Sequence, residues 1–352
     1  MTIYLILIIV LFIFWYLNGN NDNNSILISI YCIIIILVSG SRYGVGVDYE
    51  NYENIFYYIN NFSNKITLDI NNISGLEPGF VLLNKLFGFS SNGFIAVNIV
   101  LVALTMWAIH SAILKLPSKY QFFAYFILVT HAFIFLMQNQ MRQACAISVF
   151  IYSIRYINEI KINKYMLINI LSAMIFHYSA LVVLPLYFIT RFELTRFRMV
   201  FLFATILPLS LLGFFSSILT AVVKGIGLYA VYLQSSFSSV QTLSIINILT
   251  LLYLFTLIFL FDRRTNENKI LFLGLLLTCV ASNFALFERL SAYLIYVKVL
   301  SLPLLISNIK NSNNKIIIIS SIVVYSIMMY INAIAINSGG NIPYRSLFER
   351  LI

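Results

Sequence analysis

The run FLMQNQMRQACAISVF sets Arg142 and Gln143 inside an almost uninterrupted apolar stretch. A guanidinium there costs about 2.5 kcal/mol or more unless an anionic or polar group receives it. Its planar fork matches phosphate or diphosphate, which it grips with two parallel hydrogen bonds. Snorkelling toward the bilayer surface is the competing reading. Arg289, in FERLSAYL, has the same chemistry, with Glu288 beside it as a possible partner. Arg42 lies in GSRYGVGVDYENY, residues 40–52, where Asp48 flanks the same turn. Arg42 and Asp48 either form an ion pair that holds the loop or are free to serve a ligand. The glycines there permit tight turns, and Tyr49 and Tyr52 supply rings that could stack on a sugar. Glu77 precedes Pro78 and Gly79 in GLEPGFVLLN. A carboxylate at a helix N-terminus is favoured by the dipole, so capping competes with general-base work. His177, in IFHYSA, is a candidate base or phosphate donor, against the satisfied core histidine that His110 and His131 are expected to be. Glu77 and His177 thus stand as candidate bases.

Such groups need elements to position them. Of the 352 residues, 61% are hydrophobic and 10% charged, against about 25% charged in soluble domains. The apolar runs are continuous for about 16–22 residues, which suits helices that satisfy their own backbone hydrogen bonds in lipid and not the alternating strands of a barrel. The expected fold class is an all-α polytopic membrane protein, one integral domain over 1–352. The formal charge of +10 is explained by basic short loops and gives no reason to invoke nucleic acid. The first run, IYLILIIVLFIFWYL, lacks a basic leader and a small-residue cleavage site and reads as a retained span. Cys32, Cys145 and Cys279 fall in apolar runs without ligand spacing, so neither a metal nor another cofactor is expected.

Apolar helices are expected at about 3–17, 25–40, 94–114, 121–138, 141–157, 199–221, 243–261, 270–286, 290–307 and 316–336, giving about ten full spans. Lys115 and Lys119, then Arg155, Lys161 and Lys164, then Arg263, Arg264 and Lys269, then Lys310 and Lys315 mark cytoplasmic loops. Residues 41–93 have no positive excess and should face outward. Arg191, Arg196 and Arg198 also demand the cytoplasmic side, which a single crossing at 165–189 forbids. A broken or re-entrant helical hairpin, opening around FHYSAL, removes the conflict. The polar residues then converge on the outer face.

In order along the chain, SRYGVGVDYENY, EPGFVLLN, MRQACAIS, FHYSALVVLPLY, ERLSAYL and IPYRSLF resemble the EpsG family, within the wider set of Wzy-type repeat-unit polymerases. The resemblance spans about residues 40 to 348. It implies a GT-C-like, inverting glycosyltransferase in the bacterial cytoplasmic membrane, multi-pass, with its active site facing outward. The substrates would be undecaprenyl-diphosphate-linked oligosaccharide repeat units, joined into exopolysaccharide, capsule or O-antigen. Arg142, Arg289, Arg42 and Gln143 would serve the diphosphate, and Asp48, Glu77 or His177 the attacking hydroxyl. A chain-length regulator and a flippase are the partners the family implies, besides the lipid bilayer.

Two alternatives use the same lipid-linked donor. A flippase would more often have twelve or more spans with internal repeats. An O-antigen ligase usually has a large outer loop late in the chain, where this sequence offers only residues 222–242. A membrane acyltransferase would need an inward polar site.

Overall fold

The computed structural model describes residues 1–19, 25–61, 75–90, 92–215, 218, 243–281, 285–337 and 339–347. The late loop at 222–242 and the last residues, 348–352, lie outside them. Among the described residues every regular element is a helix, and one isolated bridge joins Arg42 and Ser346. Helix accounts for 80% of the structure. This is the expected answer to lipid, where every backbone N–H and C=O must find a partner within its own segment.

Two compact units divide the chain: Met1–Leu181 with Asn311–Ile352, and Val182–Lys310. The first contains α1 (Thr2–Asn18), α2 (Ser25–Gly40), α3 (Tyr49–Asn61), α4 (Pro78–Leu86), α5 (Gly93–Ile113), α6 (Ser118–Thr130), α7 (Phe133–Asn139), α8 (Met141–Asn158), α9 (Ile162–Ile175) and the long final helix Ser312–Ile336. The second contains Arg196–Leu211, Ile245–Phe261, Asn266–Ala281, Ala285–Ile295 and Lys298–Asn308.

Among the described residues, Gly93–Ile113, Glu288–Asn308 and Ser312–Ile336 are long and apolar enough to cross a membrane. Helices α6 and α7 together form a fourth such segment, bent by 52° at His131–Ala132. Ala132 has a φ of 60°, which ends the hydrogen-bond ladder of α6 and re-aims the chain. Several shorter apolar helices accompany them, including α1, α9 and Ile245–Phe261. The final helix keeps Ile316, Ile317 and Val324 exposed, as a helix facing acyl chains would. The chain is therefore consistent with a polytopic membrane protein.

Helices α8 and α9 pack as a hairpin joined by residues 159–161. The C-terminus of α9 consequently returns to the N-terminus of α8. Helix α9 stops at Ile175, and a 3-10 turn takes over at Tyr178–Val183. The expected break around FHYSAL is thus present, with His177 in the gap. Helices α3 and α4 occupy the segment read from sequence as the outer loop 41–93. Their amphipathic faces bring Tyr49, Tyr52, Phe56 and Phe80 against Phe94 of α5 and Met141 of α8 in one cluster.

His110 and His131 each meet a hydroxyl of a neighbouring helix. His110 Nδ1 lies 2.8 Å from the Tyr125 hydroxyl, and His131 Nε2 lies 3.0 Å from Ser326 Oγ.

Candidate active site

Glu77 occupies the N-cap position of α4, with extended backbone (φ −70°, ψ 138°) and Pro78 at the first helical position. Proline suits that place because its missing N–H would have no intrahelical partner. The Glu77 carboxylate makes no capping hydrogen bond. It turns away from its own helix, toward the ends of α8 and α9.

Gly79 explains how it reaches them. A Cβ at Gly79 would lie 2.5 Å from Ile175 Cα. Only glycine lets the first turn of α4 press against the last residue of α9. The EPG sequence therefore sets Glu77 directly against the break that exposes His177. Arg142, the second residue of α8, arrives from the other side because α8 and α9 are antiparallel neighbours.

The result is a three-residue cluster. Glu77 Oε2 accepts from Arg142 Nη1 in an ion pair, and Glu77 Oε1 lies 2.7 Å from His177 Nδ1. The Tyr178 amide also donates to Oε1, at 3.2 Å. The carboxylate is 1% exposed, while the side chains of Arg142 and His177 are 16% and 25% exposed. A hidden acid stands behind two partners whose outer edges remain reachable. Burial pushes the Glu77 carboxyl up, but the His177 hydrogen bond and the Arg142 charge outweigh it and hold the group below the usual carboxylate range. An ionised carboxylate only accepts hydrogen bonds, so His177 Nδ1 must carry a proton. The lone pair of a neutral imidazole is then at Nε2.

Arg142 rests on two rings, 5.0 Å from the centroid of Phe80 and 5.8 Å from that of Tyr52. Its Nε is buried without a hydrogen-bond partner among the described residues. The rings hold the guanidinium plane without using all its donors. Gln143, next on α8, is buried at 3% exposure.

Arg42 has a different environment. It is wholly buried, and its donors go to backbone carbonyls: Nε to Val45 at 3.2 Å, Nη1 to Ser39 at 3.0 Å and Nη2 to Gln138 at 2.8 Å. Burial lowers its pKa to about 10, partly offset by surrounding tyrosines, so it stays charged at neutral pH. The loop it organises binds the C-terminal tail. Tyr43 N donates to Arg345 O, Gly46 N to Gly340 O, Val47 N to Gly339 O and Leu347 N to Ser41 O. The first and last of the sequence motifs are one structural seam. Gly46, at φ 101°, is required there, because a Cβ would come within 2.9 Å of Asn139 Oδ1 and 3.0 Å of Gln138 O.

The remaining candidates fall in place around these two clusters. Tyr49 is 2% exposed and packs on Phe94 and Tyr43, and Tyr52 is 7% exposed and packs on Phe80. Both rings expected to stack on a sugar are occupied by protein. Asp48 precedes α3, and its carbonyl accepts from Tyr52 N. Arg289 lies on Ala285–Ile295 in the second unit, half-buried.

A family model matches residues 25–346 of the 352, and it is that of the EpsG family. The chain belongs to the EpsG family. Membership points to a membrane protein of the polysaccharide-polymerase type. No curated protein and no solved structure matches the chain. Within this EpsG chain, the pieces EPGFVLLN, MRQACAIS and FHYSALVVLPLY converge on Glu77, Arg142 and His177.

Sequence reasoning named all three but did not join them. It missed Phe80 as a seat for Arg142, and Gln138 and Asn139 as acceptors for the seam. Phe80 follows Gly79 directly, and the polar run QNQ between two apolar helices was the signal for the other two.

Proposed function

We propose that this EpsG-family chain is a glycosyltransferase that polymerises undecaprenyl-diphosphate-linked oligosaccharide units at the outer face of the cytoplasmic membrane. The observation that carries this reading is the Glu77 carboxylate bridging Arg142 and His177. A hydroxyl of one repeat unit attacks the anomeric carbon of the growing chain, and undecaprenyl diphosphate leaves with inversion. Sugar hydroxyls are weak nucleophiles and need a base in the transition state. His177 Nε2 takes the hydroxyl proton. Glu77 fixes the tautomer by holding Nδ1–H, and it stabilises the imidazolium that forms. Arg142 faces the leaving diphosphate, where negative charge grows as the glycosidic bond breaks.

The charges support these roles. Before proton transfer, Glu77 and Arg142 cancel and His177 is neutral. After transfer the cluster carries one positive charge beside a diphosphate that has gained negative charge. Arg289 is proposed as a further diphosphate ligand on the strength of the family motif alone. Loop charge supports the outward location: Arg155 near the end of α8, Lys161 in the turn and Lys164 at the start of α9 lie at one end of the hairpin, and the cluster sits at the opposite end. About ten spans, with the break at His177 as a re-entrant or doubly crossing element, complete this reading.

The test is surface-polysaccharide length in cells lacking the gene, then restored with wild type, Arg142→Ala or His177→Ala. Single repeats accumulating on lipid at the outer face, rescued by wild type and by neither variant at equal membrane levels, are expected. Single repeats trapped at the inner face would mean a flippase. Polymer of normal length but lacking attachment to its final acceptor would mean a ligase.

A further inference from the structure

The second unit holds a set of basic residues that the Glu77–Arg142–His177 chemistry does not use. Residues 193–196 meet the turn at 262–265 around two cavities of about 400 and 390 Å³. Arg196, Arg263 and Arg264 line both cavities, and Lys269 lines the first. Glu193 lines the first and Asp262 the second. Asp262 is already engaged in shaping the turn: Oδ1 accepts from Arg264 N and Oδ2 from Asn308 Nδ2, each at 2.8 Å. Lys269 Nζ donates to Thr190 O at 2.9 Å, which ties the two segments together. The guanidinium of Arg196 leans over the Phe259 ring at 5.7 Å. Cations thus outnumber acids around a recess that the fold itself shapes.

An apolar groove adjoins this recess. A third cavity, of about 420 Å³, shares Glu193, Leu194 and Lys269 with the first and continues along Phe192, Phe197, Phe201 and Leu273. Phe192, Phe197 and Phe201 are 70%, 78% and 58% exposed. A soluble anion would fill the basic recess and leave the groove empty. A neutral hydrocarbon would fill the groove and leave the arginines unmatched. The juxtaposition suits a molecule with a phosphate at one end and an acyl chain at the other.

We propose that this recess binds an anionic phospholipid, its phosphate held by Arg196, Arg263 and Arg264 and one acyl chain laid along Phe192, Phe197 and Phe201. Loop charge puts these arginines on the cytoplasmic side, where anionic headgroups attract basic residues. Guanidinium groups converging from two segments add geometric selection that scattered surface lysines lack. The bound lipid bridges 190–198 to 262–269 and so stabilises the second unit. This inference does not depend on the polymerase reading.

The experiment uses the full chain purified in a neutral detergent. Its thermal unfolding is followed with phosphatidylglycerol, phosphatidylcholine or inorganic phosphate, and retained lipid is counted by native mass spectrometry. Phosphatidylglycerol is expected to raise the midpoint by about 2–4 °C and to remain bound. Phosphatidylcholine and phosphate should do neither. Arg263→Gln with Arg264→Gln should remove the effect. Lys115→Gln with Lys119→Gln, an equal loss of charge in the first unit, should retain it. Should the arginine pair not fold, Phe197→Ser leaves every arginine in place and is expected to lower lipid retention. An undiminished effect in the arginine pair or in Phe197→Ser, an equal loss in the lysine pair, or the same stabilisation by phosphate alone would each overturn the proposal.

Discussion

Arg42 and Arg142 make an instructive pair. Both are arginines in apolar company at the end of a helix, and both pack on a tyrosine ring of α3. Their partners differ in kind. Arg42 donates to three backbone carbonyls, so its charge is dispersed over backbone dipoles. Arg142 faces a single carboxylate, which it shares with an imidazole. Arg42 is sealed at 0% exposure, whereas Arg142 keeps an accessible edge. A cation committed to carbonyls inside the fold ties chain segments together. A cation paired with an acid that also holds an imidazole, and that keeps an exposed edge, is the one the proposed mechanism uses.

The sharpest way to break this comparison is to remove each arginine. Arg42→Ala removes three buried hydrogen bonds from a charged donor, at about 1.5–3 kcal/mol each, and loosens the loop that holds the C-terminal tail. The expected outcome is loss of folded protein from the membrane, read by its level and by detergent-extracted monodispersity. Arg142→Ala should abolish polymer while the protein still accumulates. Equal protein loss in both variants would erase the distinction.

Glu77→Gln comes next. The amide keeps the shape and one acceptor oxygen, but it removes the charge that compensates Arg142 and that would stabilise an imidazolium at His177. Transfer activity is expected to fall by about 10²–10⁴-fold. Glu77→Asp, with the charge but a shorter reach, should recover only part of it. Activity in Glu77→Gln equal to wild type would remove the carboxylate from the mechanism.

The pH dependence sharpens the same point. The Glu77 carboxyl is lower in the folded protein than in the unfolded chain. Its contribution to stability is therefore complete above the ordinary carboxylate range and is lost as pH falls through the lowered folded value. Acid unfolding of wild type should carry this limb, and that of Glu77→Gln should not.

A smaller and more local effect is expected at Gly79→Ala. A Cβ there collides with the Ile175 backbone, so α4 must move away from α9 and carry Glu77 from His177. Reduced activity with near-normal folding is expected, and the seam at Arg42 should be unaffected. Smallest of all is Tyr52→Phe, which keeps the ring beneath Arg142. Only a few-fold change in activity should follow.

Much of the molecule was legible in the chain. Apolar runs gave most of the long helices within a few residues, because a segment in lipid has few alternatives to helix. The break at His177 was legible from a conflict of loop charges, confirmed where α9 gives way to a 3-10 turn. Helix α3 was less so, since YENYENIFYYINN is polar on one side and escapes a search for continuous apolar runs. The bend at Ala132 was hidden inside an unbroken apolar run.

The sequence by itself determined the class of the protein, its family and the short inventory of polar groups worth watching. It could do so because each charge placed among apolar helices is costly enough to need a reason. What it could not determine was the use of each group. Glu77, Arg142 and His177 are far apart along the chain, and only the close approach of α4 to α9 at Gly79 and the return of α9 alongside α8 make them neighbours. The same packing buried Arg42 among carbonyls and turned the Glu77 side chain away from its helix cap. Pairing depends on distances of a few ångströms between segments, and these are set by how helices pack, not by the order of residues along any one of them.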